Sequence, residues 1–232
     1  MLTPSSNTVL EPLTTRMLAD AGDLSVHFSR FKVTEISLSD SGLAQFDDRP
    51  ILAAAELLSH ARVDAIIWSG TSAAWLGFDR DETLCREITA ATGIPSGTSM
   101  LAMRDSLQQR GLRRVGLVSP YTDDVQRRIV ETWRTVGVEV VSERHIAISD
   151  NFAFSQIPEN AIADRVRAVA DAQCDAILVL CTNMAAAQLV PALEAELGVP
   201  IMDSVATGAW EALRLIGIDT PNMEPWGRLF AG

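Results

Sequence analysis

Lysine is almost absent. The 232 residues hold one, Lys32, and the formal net charge is −11. A chain of that sign suits neither a phosphate backbone nor an anionic bilayer, since both need clustered basic side chains. An anionic small molecule stays open, because a local pocket can oppose the overall sign. Cysteine is scarce and odd in number (Cys85, Cys174 and Cys181) and lacks framework spacing. That excludes a disulfide scaffold and fits a reducing, cytoplasmic setting. The histidines at 27, 60 and 145 have no zinc spacing, and Cys174 and Cys181 bracket a strand too long for a shared metal. Cys85 reads as a core residue in mid-helix. No GxGxxG, Walker loop or GxSxG elbow occurs, so dinucleotide, nucleotide and serine-hydrolase readings have no support. No signal peptide, membrane-length apolar run, low-complexity tract or long linker is visible.

What is there centres on Cys174–Ala185, CDAILVLCTNMA. The run from Ala176 to Leu180 is apolar and rich in branched residues, as suits a strand buried on both faces of a parallel sheet. It stops at Cys181, and a helix-forming run follows Thr182 and Asn183. The carboxyl end of such a strand is where open α/β sheets bind ligands. A thiol beside a helix N-terminus there is expected to have a lowered pKa.

The same design occurs earlier. VDAIIWSGTSAA, from Val63, aligns on CDAILVLCTNMA without a gap and sets Gly70 opposite Cys181. GIPSGTSM, from Gly93, echoes GVPIMDSV, from Gly198, and TPSSNT, from Thr3, echoes SPYTDD, from Ser119. Three matched segments in one order indicate a duplicated α/β unit. The expected fold is two pseudo-symmetric, four-stranded parallel-sheet, flavodoxin-like lobes with the active site in the cleft between them. Residues 1–112 with 207–232 would form the lobe carrying Gly70, and 113–206 the lobe carrying Cys181. The strand before TPSSNT is unusually short, so either the first strand is clipped or the natural start lies upstream of Met1. Residues 8–21 read as the first helix, 36–50 as a loop that could hold a short turn, 185–197 as helical and re-initiated near Pro191, and 217–232 as a tail over the first lobe.

Facing lobes would bring the loops at Ser5–Asn7, Gly70–Ser72, Tyr121 and Cys181–Asn183 into one cleft. That set is rich in hydroxyls, amides and backbone N–H groups, which suit carboxylate oxygens and developing enolates. One thiol among them suits proton transfer at carbon. Asp123 and Asp124 read as first-turn caps. Trp68 and Trp75 flank the Gly70 loop, and pocket lining and core packing are equally open for them.

PSSNTVLEP, SGTS, SPYTDD, SDN and VLCTN, in this order, resemble the Asp/Glu racemase superfamily, nearest to its maleate cis-trans isomerases and arylmalonate decarboxylases. The resemblance spans nearly the whole chain. It implies a small (di)carboxylic acid substrate, no metal and no cofactor, and a monomer or homodimer. It assigns catalysis to Cys181. Substrate binding falls to Asn7, Gly70, Thr71, Ser72, Tyr121, Asn151, Thr182 and Asn183. Racemases and maleate isomerases carry a thiol in each lobe. Here Gly70 stands at the first, which resembles the decarboxylases, as does the closing WGRLF. The SSN and SDN motifs are closer to the isomerases. Decarboxylation with Cys181 protonating an enediolate, maleate-type isomerisation, and acid binding without turnover all remain open at this stage.

Overall fold

The structure, a computed structural model, describes residues 1–19, 21, 23–219 and 221–231, without the side chains of Pro221 and Asn222. Eight strands form two all-parallel sheets. The first has β1 (Leu2–Pro4), β2 (Ser29–Phe31), β3 (Ile66–Trp68) and β4 (Ser96–Thr98), in the order β2-β1-β3-β4. The second has β5 (Arg114–Ser119), β6 (Glu139–His145), β7 (Ala176–Val179) and β8 (Ile201–Asp203), in the matching order β6-β5-β7-β8. Each chain of connections runs outward from its first strand and then returns to the far side. The direction therefore switches between β1 and β3, and between β5 and β7. The loops leaving those four strands open the crevice where α/β sheets take ligands.

The helices are α1 (Leu10–Ala19), α2 (Asp40–Ala44), α3 (Asp48–Ser59), α4 (Ala73–Leu76), α5 (Phe78–Thr92), α6 (Ser99–Gln109), α7 (Asp123–Thr135), α8 (Glu159–Ala170), α9 (Val190–Leu197) and α10 (Ser204–Leu215). The repeated Gly-x-Pro signals have a common cause. Gly93 and Gly198 each end a helix at φ 72°, where glycine carries no Cβ penalty, and donate back to Thr89 O and Glu194 O. β3 and β7 are buried throughout, as their unbroken apolar runs require, whereas β6 is an edge strand and half-exposed. One core cluster runs from Leu2 and Trp68 of the first sheet to Leu117 and Leu178 of the second.

Four sequence expectations need adjusting. The first helix begins at Leu10, because the Asn7 side chain caps it from outside, and Asp20 of the expected span lies outside the described residues. The 36–50 stretch contains α2, which Ser39 caps by accepting from Gly42 N–H. In the 185–197 span the helix restarts beside Pro191, as α9, but what precedes it is a 3-10 turn at Ala187–Leu189. The tail does not lie over one lobe alone. Met223, Leu229 and Phe230 pack with Leu10, Leu13 and Met17 of α1 and with Leu213 of α10, while Arg228 donates its N–H to Glu194 Oε2 of α9. Gly232, the end of that tail, lies outside the described residues.

Candidate active site

The switch-point loops enclose a cavity of about 20 Å³ lined by Gly70, Thr71, Ser72, Tyr121, Asn151, Cys181 and Thr182, with an apolar wall of Val33, Ile36, Phe46, Trp68 and Trp75. That is room for about one water. A small acid enters only if a wall moves, and Val33, Ile36 and Phe46 all come from the segment between β2 and α3. That segment crosses to the other sheet's loop: Ile36 N–H donates to Ser149 O (2.9 Å) and Asn151 N–H to Thr34 O (3.0 Å).

Cys181 is 3% exposed and adopts φ 147°, a conformation that a non-glycine residue holds only when its surroundings impose it. The imposing bonds are local. Leu180 N–H donates to Val118 O, Cys181 N–H to Ser204 Oγ (3.1 Å), and Met184 N–H to Cys181 O. Burial pushes the thiol up to about 12, against partial relief from the N–H groups of Asn183 and Met184 and from the Tyr121 hydroxyl. The expected lowered pKa is thus corrected. No regular helix starts beside Cys181, so no helix dipole offsets the desolvation. The thiol is protonated at neutral pH and is an acid at rest.

Tyr121 is the second organising residue. Its hydroxyl pairs with Thr71 Oγ1 across the cleft at 2.6 Å, and the residue lines the same cavity as Cys181. Its ring packs edge-on between Trp75 (5.2 Å) and Phe154 (5.6 Å), and burial holds the phenol well above its ordinary value. No protein partner is found among the described residues for the N–H groups of Gly70, Thr71, Ser72 or Thr182. With the hydroxyls of Thr71 and Ser72, these supply neutral donors of the kind an enediolate or carboxylate needs.

Two expected ligands are placed elsewhere. Asn7 and Asn183 do not line the cavity. Asn7 Oδ1 caps α1 through Val9 and Leu10 N–H, and its Nδ2 donates to Thr182 Oγ1 (3.1 Å). Thr182 Oγ1 in turn donates to Ser69 O (3.2 Å). Asn183 Oδ1 accepts from Thr8 N–H (2.9 Å) and Val9 N–H (3.3 Å), and its Nδ2 donates to Asn151 O. These amides hold the two halves in register. Asn151 does line the cavity and donates to Ser6 Oγ (2.7 Å).

Sequence reasoning missed Asp203 and Ser204, although the repeat sets them opposite Thr98 and Ser99. Asp203 caps α10 through Val205 and Ala206 N–H, while its Oδ2 has no partner among the described residues. Burial pushes its carboxyl from 3.8 up to about 7, and its charge raises the thiol further. Between those two values the folded protein holds a proton that the unfolded chain has released. Stability therefore falls as pH rises through that window, by on the order of 1 kcal/mol or more. Buried Asp81, also near 7, acts in the same direction. Asp203→Asn keeps the cap and cannot titrate, so its Tm is expected to fall less than the wild-type Tm between pH 5 and pH 8. An unchanged difference would remove Asp203 from this account. A larger groove of about 460 Å³ near the start of α5 contains none of these residues, and its Arg104 and Arg128 are paired with Glu82 and Glu131.

Twin parallel sheets of matching strand order, with one buried thiol at a switch point and a glycine at its counterpart, define a member of the Asp/Glu racemase superfamily. The arylmalonate decarboxylase family model matches residues 10–230, and the chain belongs to that family. Its relatives include an arylmalonate decarboxylase of Bordetella bronchiseptica, 32% identical over 142 residues, a match covering 60% of this chain and 59% of that protein. A maleate isomerase of Nocardia farcinica is 26% identical over 242 residues, covering 99% of this chain and 93% of that one. A solved Nocardia farcinica maleate cis-trans isomerase mutant with a covalently bound succinylcysteine intermediate shares the fold, with TM-score 0.87 at 22% identity over 99% of this chain and 96% of that chain.

Proposed function

We propose that this protein is a cofactor-independent decarboxylase of a malonate-type acid, with Cys181 as the proton donor. The observation that carries this reading is a buried, protonated thiol facing a glycine rather than a second thiol. One carboxylate of the acid is held by the N–H groups of Thr71, Ser72 and Thr182 and by the hydroxyls of Thr71 and Ser72. The other lies against the apolar wall, where an ionised group is poorly solvated. The bond from the α-carbon to that second carboxyl breaks, carbon dioxide leaves, and the electron pair spreads into an enediolate on the retained carboxylate. The Cys181 S–H then gives its proton to the α-carbon, and the resulting thiolate regains one from solvent. The Tyr121 hydroxyl, which favours the ionised sulfur, steadies that thiolate. The partner is a small acid, with no nucleic acid or membrane, and the lobe carrying Gly70 (1–112 with 207–232) closes on the lobe carrying Cys181 (113–206).

Carbon dioxide release from α-aryl malonates tests this; no turnover of any substituted malonate would sink it. Tyr121→Phe removes the hydroxyl that favours the ionised sulfur and is the partner of Thr71. It is expected to lower kcat about 10-fold, in line with the loss of one hydrogen bond to a charged group, and to leave KM little changed. A change in KM alone would place Tyr121 in substrate binding. The full-length match to maleate isomerases and the SSN and SDN motifs favour a second reading, isomerisation of maleate. Fumarate formed from maleate, followed by NMR, would decide for it.

A further inference from the structure

Gly70 is not an empty place where a thiol once stood. It is filled from the side. A Cβ added there would lie 2.0 Å from Trp68 Cζ2 and 2.4 Å from both Cε2 and Cη2. Carbon atoms in contact sit at about 3.5–4.0 Å, so any side chain at position 70 displaces the indole. The indole has little room to yield. Trp68 is 1% exposed at the end of β3, its ring lies 5.0 Å from that of Phe31, and its Nε1–H points to Ser72 Oγ at 3.4 Å.

The repeat shows how the volume is shared. The gapless repeat sets 68 opposite 179, each the last residue of its strand, and 70 opposite 181 in the loop that follows. In the second sheet a small Val179 precedes Cys181. In the first, the large Trp68 precedes Gly70. Trp68, Gly70 and Cys181 line the cavity and Val179 does not, so the bulk at the wall comes from 68 in the first lobe and from 181 in the second.

We propose that Trp68 is the specificity-determining residue that confines this site to one-thiol chemistry. Its indole takes the space that a reactive group on the first lobe would need. An acid in the cleft therefore meets sulfur on one face and an aromatic wall on the other. Two-sided chemistry needs a thiolate that takes the α-proton and an opposing thiol that gives one to the other face, leaving one thiol and one thiolate. That exchange is closed to this chain. The catalytic part of the inference rests on the decarboxylase reading; the steric part does not.

The experiment compares wild type with Gly70→Cys, Trp68→Val and the double variant, first by Tm without substrate. Gly70→Cys alone is expected to lower Tm by about 2–12 °C, the range for overpacking a chain of this size. In the Trp68→Val background the same change is expected to cost less than half as much. Should Gly70→Cys fail to give soluble protein, Gly70→Ala in both backgrounds carries the comparison. Equal costs in the two backgrounds, or no cost in wild type, would overturn the assignment. In D₂O, the double variant is expected to exchange the α-hydrogen of a 2-aryl propionate on both faces, while Gly70→Cys alone does not. Two-faced exchange by Gly70→Cys alone at an undiminished Tm would also overturn it. If the Tm coupling appears but wild type turns over no malonate, the decarboxylase reading fails and the steric role of Trp68 stands.

Discussion

Replacing Cys181 by alanine is expected to cut the rate of carbon dioxide release from an α-aryl malonate about 10²–10⁴-fold, the usual contribution of one positioned acid. The chain offers no substitute at that place. Among the described residues lining the cavity, the titratable groups are Cys181 and Tyr121, and the phenol is held well above its ordinary value by burial. Water is a poor replacement, because the closed cavity holds about one molecule. The fold should survive the change. Alanine has the same backbone preferences as cysteine at φ 147°, so the strain at 181 is neither added nor relieved. A wild-type rate in Cys181→Ala, with Tm within a few degrees of wild type, would remove the thiol from the reaction. The pH profile is a second readout. The donor is a thiol pushed up to about 12, so kcat should show no loss on the alkaline side near the ordinary value of 9.0.

The sequence made the architecture legible because its signals were redundant. Two unbroken apolar runs, two Gly-x-Pro helix ends and two strand-end polar loops all repeat in one order, and each has a local physical cause. The site was legible where a residue type and a strand end coincide, at Gly70–Ser72, Tyr121 and Cys181–Thr182. It was not legible where the deciding quantity is three-dimensional. The thiol's pKa depends on desolvation and on where the next helix begins, and a helix-forming run after Asn183 gave the wrong start. The indole against Gly70 follows from a rotamer, which a sequence does not carry. Ile36 and Phe46 come from a stretch that reads as polar loop and Val33 from the end of the expected second strand, and the bonds to Ser149 and from Asn151 carry the segment over the cavity.

Asn183→Ala is expected to destabilise the protein by about 2–4 kcal/mol and to lower Tm by about 4–16 °C. The side chain is 1% exposed; its Oδ1 accepts from Thr8 and Val9 of the other lobe, and its Nδ2 donates to Asn151 O within its own lobe. Removing it strands the Asn151 carbonyl inside the protein and takes a partner from the N–H of exposed Thr8. Val9 N–H keeps its bond to Asn7 Oδ1, so the loss is smaller than the count of broken bonds suggests. A substrate ligand behaves otherwise. If Asn183 turned toward the acid in the working enzyme, its truncation would raise KM and leave Tm near wild type, since an unliganded protein would not need it. A large Tm loss with KM little changed would therefore assign this asparagine to the joint between the lobes. The joint matters for chemistry because Thr71 reaches Tyr121 across it at 2.6 Å, and a small slip there would part the phenol from that hydroxyl and open the cavity that both share with Cys181.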